Sequence, residues 1–136
     1  MITAVDTNIL IDIFTADPLF GEQSKTALRS CIQDGAIIAC DLVWTETATI
    51  FENSSAYLEV MEQLGIEFSP LNREASLYAA KVWRHYRKLG GARERIVADF
   101  LIGAHAIIQC DQLLTRDRGF YKPYFNDLVV INPTLL

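Results

Sequence analysis

Short apolar runs alternate along this chain with longer stretches of helical spacing, and that alternation most narrows the folds open to it. The runs fall at residues 2–5, 36–39, 66–68, 112–115 and 128–131, each of strand length. Helical spacing occupies 8–14, 19–33, 42–52, 56–64, 72–89 and 96–110. The breaks have local causes. Asp17-Pro18 ends the first helix, and Asp34-Gly35 supplies a C-terminal glycine stop for the second. Residues 53–55 break and cap the chain before the fourth helix, Asn72 caps the fifth and Gly90-Gly91 ends it. The segment 96–110 is almost wholly apolar and is expected to be buried on most sides. Buried strands alternating with helices imply an α/β fold with a parallel sheet covered on both faces. In such sheets ligands bind beyond the carboxyl ends of the strands, at a topological switch point.

At 136 residues, with no linker, repeat or low-complexity tract, the chain is expected to form a single domain spanning 1–136. No apolar run approaches the ~20 residues needed to span a bilayer, and Asp6 interrupts the first apolar stretch, so neither a membrane span nor a secretory signal is read. Cys31, Cys40 and Cys110 are odd in number and set in apolar surroundings. They read as reduced core residues of a cytoplasmic protein. Net charge is −5, but residues 1–74 carry twelve acids and three bases while 75–136 carry five acids and nine bases. The basic run from Lys81 to Arg95 reads as a solvated helix face or as a surface for an anionic partner.

Four acids stand where apolar segments end or bend. Asp6 closes the first strand, Glu46 follows Leu42-Val43-Trp44, Asp99 precedes Phe100-Leu101-Ile102, and Asp117 comes just after Leu113-Leu114-Thr115. A carboxylate at the edge of a core is costly without compensation. Each has a structural account: Asp6 as a helix cap, Asp117 as the cap of a turn, Asp99 as a first-turn acid favouring the helix dipole, Glu46 as a rim residue satisfied by Thr49 or solvent. Glu46 has Leu42, Val43 and Ile50 as helical neighbours, so its carboxylate is expected to point towards the core side. Were all four to meet at about 5 Å, each pair would repel by roughly 3 kcal/mol at an effective dielectric of ~20. Protons or divalent cations would have to neutralise the cluster, and all-oxygen ligands suit Mg²⁺ or Mn²⁺ better than Zn²⁺. Asn8 and Thr115 are neutral donors that could orient carboxylates or metal-bound water.

The opening Val5-Asp6-Thr7-Asn8-Ile9-Leu10-Ile11-Asp12 resembles the first motif of PIN domains. The likeness continues through Glu46, Asp99-Phe100-Leu101-Ile102-Gly103-Ala104-His105-Ala106 and Leu113-Leu114-Thr115-Arg116-Asp117-Arg118-Gly119-Phe120-Tyr121, in order along the chain. It is similar above all to VapC-like toxins of toxin–antitoxin pairs. The resemblance implies a Rossmann-like, three-layer α/β/α fold with a central five-stranded parallel sheet. It also implies a Mg²⁺- or Mn²⁺-dependent endoribonuclease, usually a homodimer, held in check by a small antitoxin protein. The family's acidic quartet carries over onto Asp6, Glu46, Asp99 and Asp117 as catalytic and metal-binding residues, with Asp6 and Asp99 as direct ligands. Its accessory positions carry over onto Thr7, Asn8 and Thr115. Arg93, Arg95, Arg116 and Arg118 are candidates for holding phosphates of the RNA substrate; no aromatic platform for its bases is read, Tyr121 and Trp44 being the rings open to that role and Trp44 reading first as a core residue.

Two other functions remain open at this point. One is a PIN-like binding module whose acids are structural. The other is a Mg²⁺-dependent phosphatase of the haloacid-dehalogenase type, against which stands Asn8 where that family has a second aspartate. His85 and His105 read as surface or packing residues, not as general bases. Self-association is expected through apolar faces around Leu28, Ile32, Tyr57 and Leu58.

Overall fold

The computed structural model describes residues 1–91, 97–117 and 119–135. Arg93, Arg95 and Arg118, three of the four candidate phosphate contacts, lie outside the described residues. The strands are β1 (Ile2–Val5), β2 (Ala36–Ala39), β3 (Ile66–Phe68), β4 (Gln112–Leu114) and β5 (Val130–Ile131). The helices are α1 (Thr7–Phe14), α2 (Gly21–Asp34), α3 (Asp41–Ala48), α4 (Ser54–Leu64), α5 (Arg73–Lys88), α6 (Val97–Gln109) and the single turn α7 (Tyr121–Tyr124). All strand pairings are parallel, in the order β3-β2-β1-β4-β5, giving the expected three-layer α/β/α arrangement. The chain winds outward from β1 through β2 to β3, then crosses back to place β4 on the other side of β1. The switch point therefore lies between β1 and β4, where Val5 is in register with Leu114.

Val5, Ile37, Leu113 and Leu114 are almost fully buried in the sheet, and Ile9, Leu10, Phe100 and Phe125 pack around it. Each such side chain contributes about 1.5–3 kcal/mol by leaving water. The apolar segment read at 96–110 forms α6, where Phe100, Ile102, Gly103, Ala104, His105 and Ala106 are buried and Val97 alone of the helix is exposed. Gly103 allows that close approach, since a Cβ there would stand 2.8 Å from the Phe125 ring. Alanine at this position gains about 1 kcal/mol of helix propensity, whereas overpacking against a fully buried ring costs about 1–3 kcal/mol. Gly103→Ala is accordingly expected to lower the urea midpoint at unchanged slope.

The capping signals act where the sequence places them. Gly35 ends α2 at φ +154°, where a Cβ would collide with the Met1 carbonyl oxygen. Asn53 and Asn72 cap α4 and α5 by accepting from the Ala56 and Ala75 amides. Among the boundaries that differ from expectation, two have a visible local cause. Helix α3 stops at Ala48, not near residue 52, because Thr47 and Thr49 donate their hydroxyls back to the Val43 and Glu46 carbonyls and loosen the last turn. Strand β5 is limited to two residues because the Leu128 amide is committed to a turn onto the Phe125 carbonyl.

The expected self-association face is also redrawn. Leu28 and Tyr57 are 2% exposed and belong to the core, and the Tyr57 hydroxyl lies 2.7 Å from Thr47 Oγ1. Ile32 and Leu58 are exposed. All three cysteines are free, with Cys31 and Cys40 buried. No helix among the described residues is long and apolar enough to cross a membrane.

Candidate active site

Asp6 follows β1 directly and begins α1, so its side chain emerges at the switch point. Its amide extends the pairing with β4 by donating to the Leu114 carbonyl at 2.9 Å. The two accounts of Asp6 offered by the sequence prove compatible, because its oxygens divide the work. Oδ1 accepts from the Thr7 amide at 2.7 Å and caps α1. Oδ2 turns into the crevice and accepts the Thr115 hydroxyl at 2.8 Å and the Tyr121 hydroxyl at 3.0 Å. The carboxylate is 6% exposed. Burial pushes its pKa up to about 6 against the pull of these hydrogen bonds, and the Asp99 charge adds to the rise.

Thr115 links the accessory residues. Its Oγ1 donates to Asp6 and accepts from Asn8 Nδ2 and the Asp117 amide, both at 3.1 Å. Asn8 closes the circuit by accepting the Arg116 amide at 3.3 Å. Thr7 donates its hydroxyl to Glu46 Oε1 at 2.9 Å. Thr7, Asn8 and Thr115 thus stand beside the acids, each bonded to one of them or to its immediate support.

The other three acids relate to Asp6 in different ways. Asp99, half-buried on the first turn of α6, is close enough to raise the Asp6 pKa. Asp117 accepts the Gly119 and Phe120 amides at 3.1 and 3.0 Å, the capped turn foreseen for it, and its charge is felt at Tyr121. Glu46 departs from expectation. It is exposed, not core-facing, because Val43 and Thr47 take the buried side of α3, and it reaches the site through Thr7. Among the described residues no three acidic, histidine or cysteine side chains lie close enough to grip one ion directly.

Tyr121, left open by the sequence as a ring for stacking bases, has a different place. It is 2% exposed and offers no face for stacking a base. Burial, then the charges of Asp6 and Asp99, hold its hydroxyl well above the ordinary range, so it remains a proton donor to Asp6. Its position four residues after Asp117, on the next turn, was the available signal. Trp44 packs edge-on against Tyr57 and Phe68. His105 is 1% exposed, contacts Ser69 Oγ at 3.1 Å and has its pKa lowered by burial, so it serves packing. Arg116 is engaged by Asp12, with Nε 2.8 Å from Oδ2 and Nη2 3.0 Å from Oδ1.

The raised pKa of Asp6 has a consequence for stability. Below about pH 4 the group is protonated in both folded and unfolded chains and contributes nothing. As pH rises past about 6 the unfolded chain has already released this proton while the folded chain must ionise in a buried site. The metal-free fold thereby loses roughly 3 kcal/mol, and the loss then levels off. Urea titrations in EDTA should show this decline between pH 4 and 7 in the native chain and its absence in Asp6→Asn.

A family model described as PIN domain matches residues 3–126. No curated protein matches the chain. Among solved structures, VapBC2 from Rickettsia felis bound to a DNA fragment from their promoter superposes with TM-score 0.73 at 17% identity, covering 97% of this chain and 98% of that one. FitAcB from Neisseria gonorrhoeae gives TM-score 0.71 at 23% identity with both chains fully covered. A toxin-antitoxin complex from Klebsiella pneumoniae gives 0.72 at 18% identity, covering 96% and 97%.

Proposed function

We propose, from the premise that this chain belongs to the PIN domain family, that it is a divalent-metal-dependent endoribonuclease and the toxin half of a toxin–antitoxin pair. The observation that carries this reading is the buried carboxylate of Asp6 at the β1–β4 switch point, held by hydrogen bonds from Thr7, Thr115 and Tyr121 and within reach of the Asp99 charge. The described hydrogen-bond partners of Asp6 are all neutral, so negative charge there invites a cation. The donor set fits Mg²⁺ or Mn²⁺. Hard oxygen ligands suit these ions, and Mg²⁺ commonly retains several waters while touching one or two carboxylates and the substrate's phosphate. A site in which three carboxylates do not already converge is compatible with that mode and unsuited to an all-protein cage.

Asp6 and Asp99 would hold such an ion most directly, with Glu46 and Asp117 reaching it through water. Bound there, the metal supplies a lowered pKa for water and charge neutralisation at the scissile phosphate. The chain's own groups fix the geometry. Thr115 and Tyr121 aim Oδ2 of Asp6, the Thr7 amide fixes Oδ1, and Asn8 holds Thr115. Glu46, exposed and accepting the Thr7 hydroxyl, would orient an incoming water. Asn8, bonded to Thr115 and to the Arg116 amide, leaves no carboxylate where a haloacid-dehalogenase-type phosphatase needs its second aspartate.

The proposed antitoxin partner draws on the similarity to the toxin-antitoxin complex from Klebsiella pneumoniae and on the VapC-like resemblance, and such a partner would cover the acidic crevice. A homodimer is proposed on the same family grounds. The second reading, a binding module without catalysis, draws on the structural hydrogen bonds that Asp6, Glu46 and Asp117 make as they stand. Incubation with single-stranded RNA separates the two. Scission with Mg²⁺ or Mn²⁺ that stops in EDTA is expected; RNA left intact with either metal, or cut equally well in EDTA, contradicts the nuclease reading.

A further inference from the structure

We infer that Asp12 is a positioning residue, which locks the Thr115-Arg116-Asp117 segment against Asp6 by gripping the Arg116 side chain. The inference rests on the nuclease reading and extends it to a carboxylate outside the quartet. Asp12 lies on α1 one and a half turns after Asp6 and is 1% exposed. It makes a two-pronged bond with Arg116 and accepts the Ser24 hydroxyl at 2.8 Å on Oδ2. Ser24 itself is fully buried on α2. The Arg116 guanidinium also lies over the Phe20 ring, 4.3 Å from its centroid. Three pieces of backbone, α1, α2 and the segment after β4, are thus pinned at one point.

What this point holds is the crevice side of the same segment. Arg116 sits between Thr115, which donates to Asp6, and Asp117, whose amide donates to Thr115. The Arg116 amide donates to Asn8, so the backbone is tied to α1 on one side and the side chain on the other. A two-pronged guanidinium–carboxylate pair fixes orientation as well as distance, which a single hydrogen bond does not. Groups that orient ligands of a metal site typically change affinity or rate by about 10–100-fold when removed. With its charge thus engaged, Arg116 serves to place Thr115 and Asp117 and not to hold RNA phosphates.

The test uses the full chain with Asp12→Asn, Arg116→Lys, Arg116→Gln and Asp12→Asn/Arg116→Gln, each checked by circular dichroism to be folded at the assay temperature. Arg116→Lys keeps the charge and is the variant to rely on should loss of the buried carboxylate unfold the others. Mn²⁺ binding by electron paramagnetic resonance, RNA kinetics, and the amide shifts of Thr115 and Asp117 are measured. The expected result is a kcat reduced about 10–100-fold with KM for RNA unchanged, a Mn²⁺ Kd raised comparably, and both amides displaced. The double variant should be no worse than the poorer single one. Unchanged kcat and Mn²⁺ Kd with only a lower Tm would reduce the pair to a strut, and a raised KM at constant kcat would make Arg116 a phosphate contact; either overturns the inference. A native chain that neither binds Mn²⁺ nor cuts RNA defeats the nuclease reading instead. The amide shifts then still decide the placement, because unmoved Thr115 and Asp117 refute it.

Discussion

Asp6→Asn and Asp99→Asn are each expected to reduce Mg²⁺-dependent RNA scission by about 10³-fold while leaving the chain folded. The magnitude follows from what the charge does. A metal at the scissile phosphate supplies several kcal/mol of transition-state stabilisation, and every 1.4 kcal/mol is roughly tenfold in rate. Asparagine preserves the size of the side chain and keeps one oxygen to cap α1 through the Thr7 amide. It removes the negative charge that would attract the ion, and it turns an NH₂ towards Thr115 and Tyr121. Stability should not fall with activity at pH 7.5. Asp6 ionises there at a cost in a buried site, so deleting its charge relieves the metal-free fold. Activity lost with Tm preserved identifies a functional acid; activity and Tm lost together would mark Asp6 as a structural cap.

The second large effect concerns stability. Arg116→Ala should destabilise the chain by about 3–5 kcal/mol, a Tm decrease of roughly 10–20 °C for a domain of this size. Asp12 is 1% exposed, and without the guanidinium only the Ser24 hydroxyl is left among its described side-chain partners. The loss of an ion pair's attraction is the smaller part of this cost. The larger part is a carboxylate stranded away from water. The stacking of Arg116 over Phe20 goes as well. In the Asp12→Asn background the same replacement should cost much less, since no buried charge is then abandoned. Calorimetry on the four chains of that cycle measures the difference. A decrease in Tm of only a few degrees for Arg116→Ala would show that solvent reaches Asp12.

The architecture was legible because each strand is short, apolar and followed by a capped helix, so a covered parallel sheet was the solution open to it. Part of the surroundings of Asp6 was legible for a related reason. Thr115, read as a neutral donor that could orient a carboxylate, leaves β4 beside the end of β1 and donates its hydroxyl to Asp6. Three features escaped. Helical neighbours alone put Glu46 on the core side of α3. The threonine back-bonds that shorten this helix, and the burial of Val43 and Thr47, turn Glu46 outward. The role of Tyr121 escaped because nothing local reveals that α7 packs its hydroxyl against Asp6. The pairing of Arg116 with Asp12 escaped because its buried partner lies 104 residues earlier, and periodicity carries no information about contacts at that range.

The central claim is that distant acids assemble a site for a divalent cation around Asp6. Its most direct test is the anomalous difference map of crystals soaked in Mn²⁺. The account requires a peak within direct or single-water reach of both the Asp6 and Asp99 carboxylates, absent from Asp6→Asn crystals treated identically. A map without a peak at the β1–β4 crevice, at Mn²⁺ concentrations that support RNA cleavage, contradicts it.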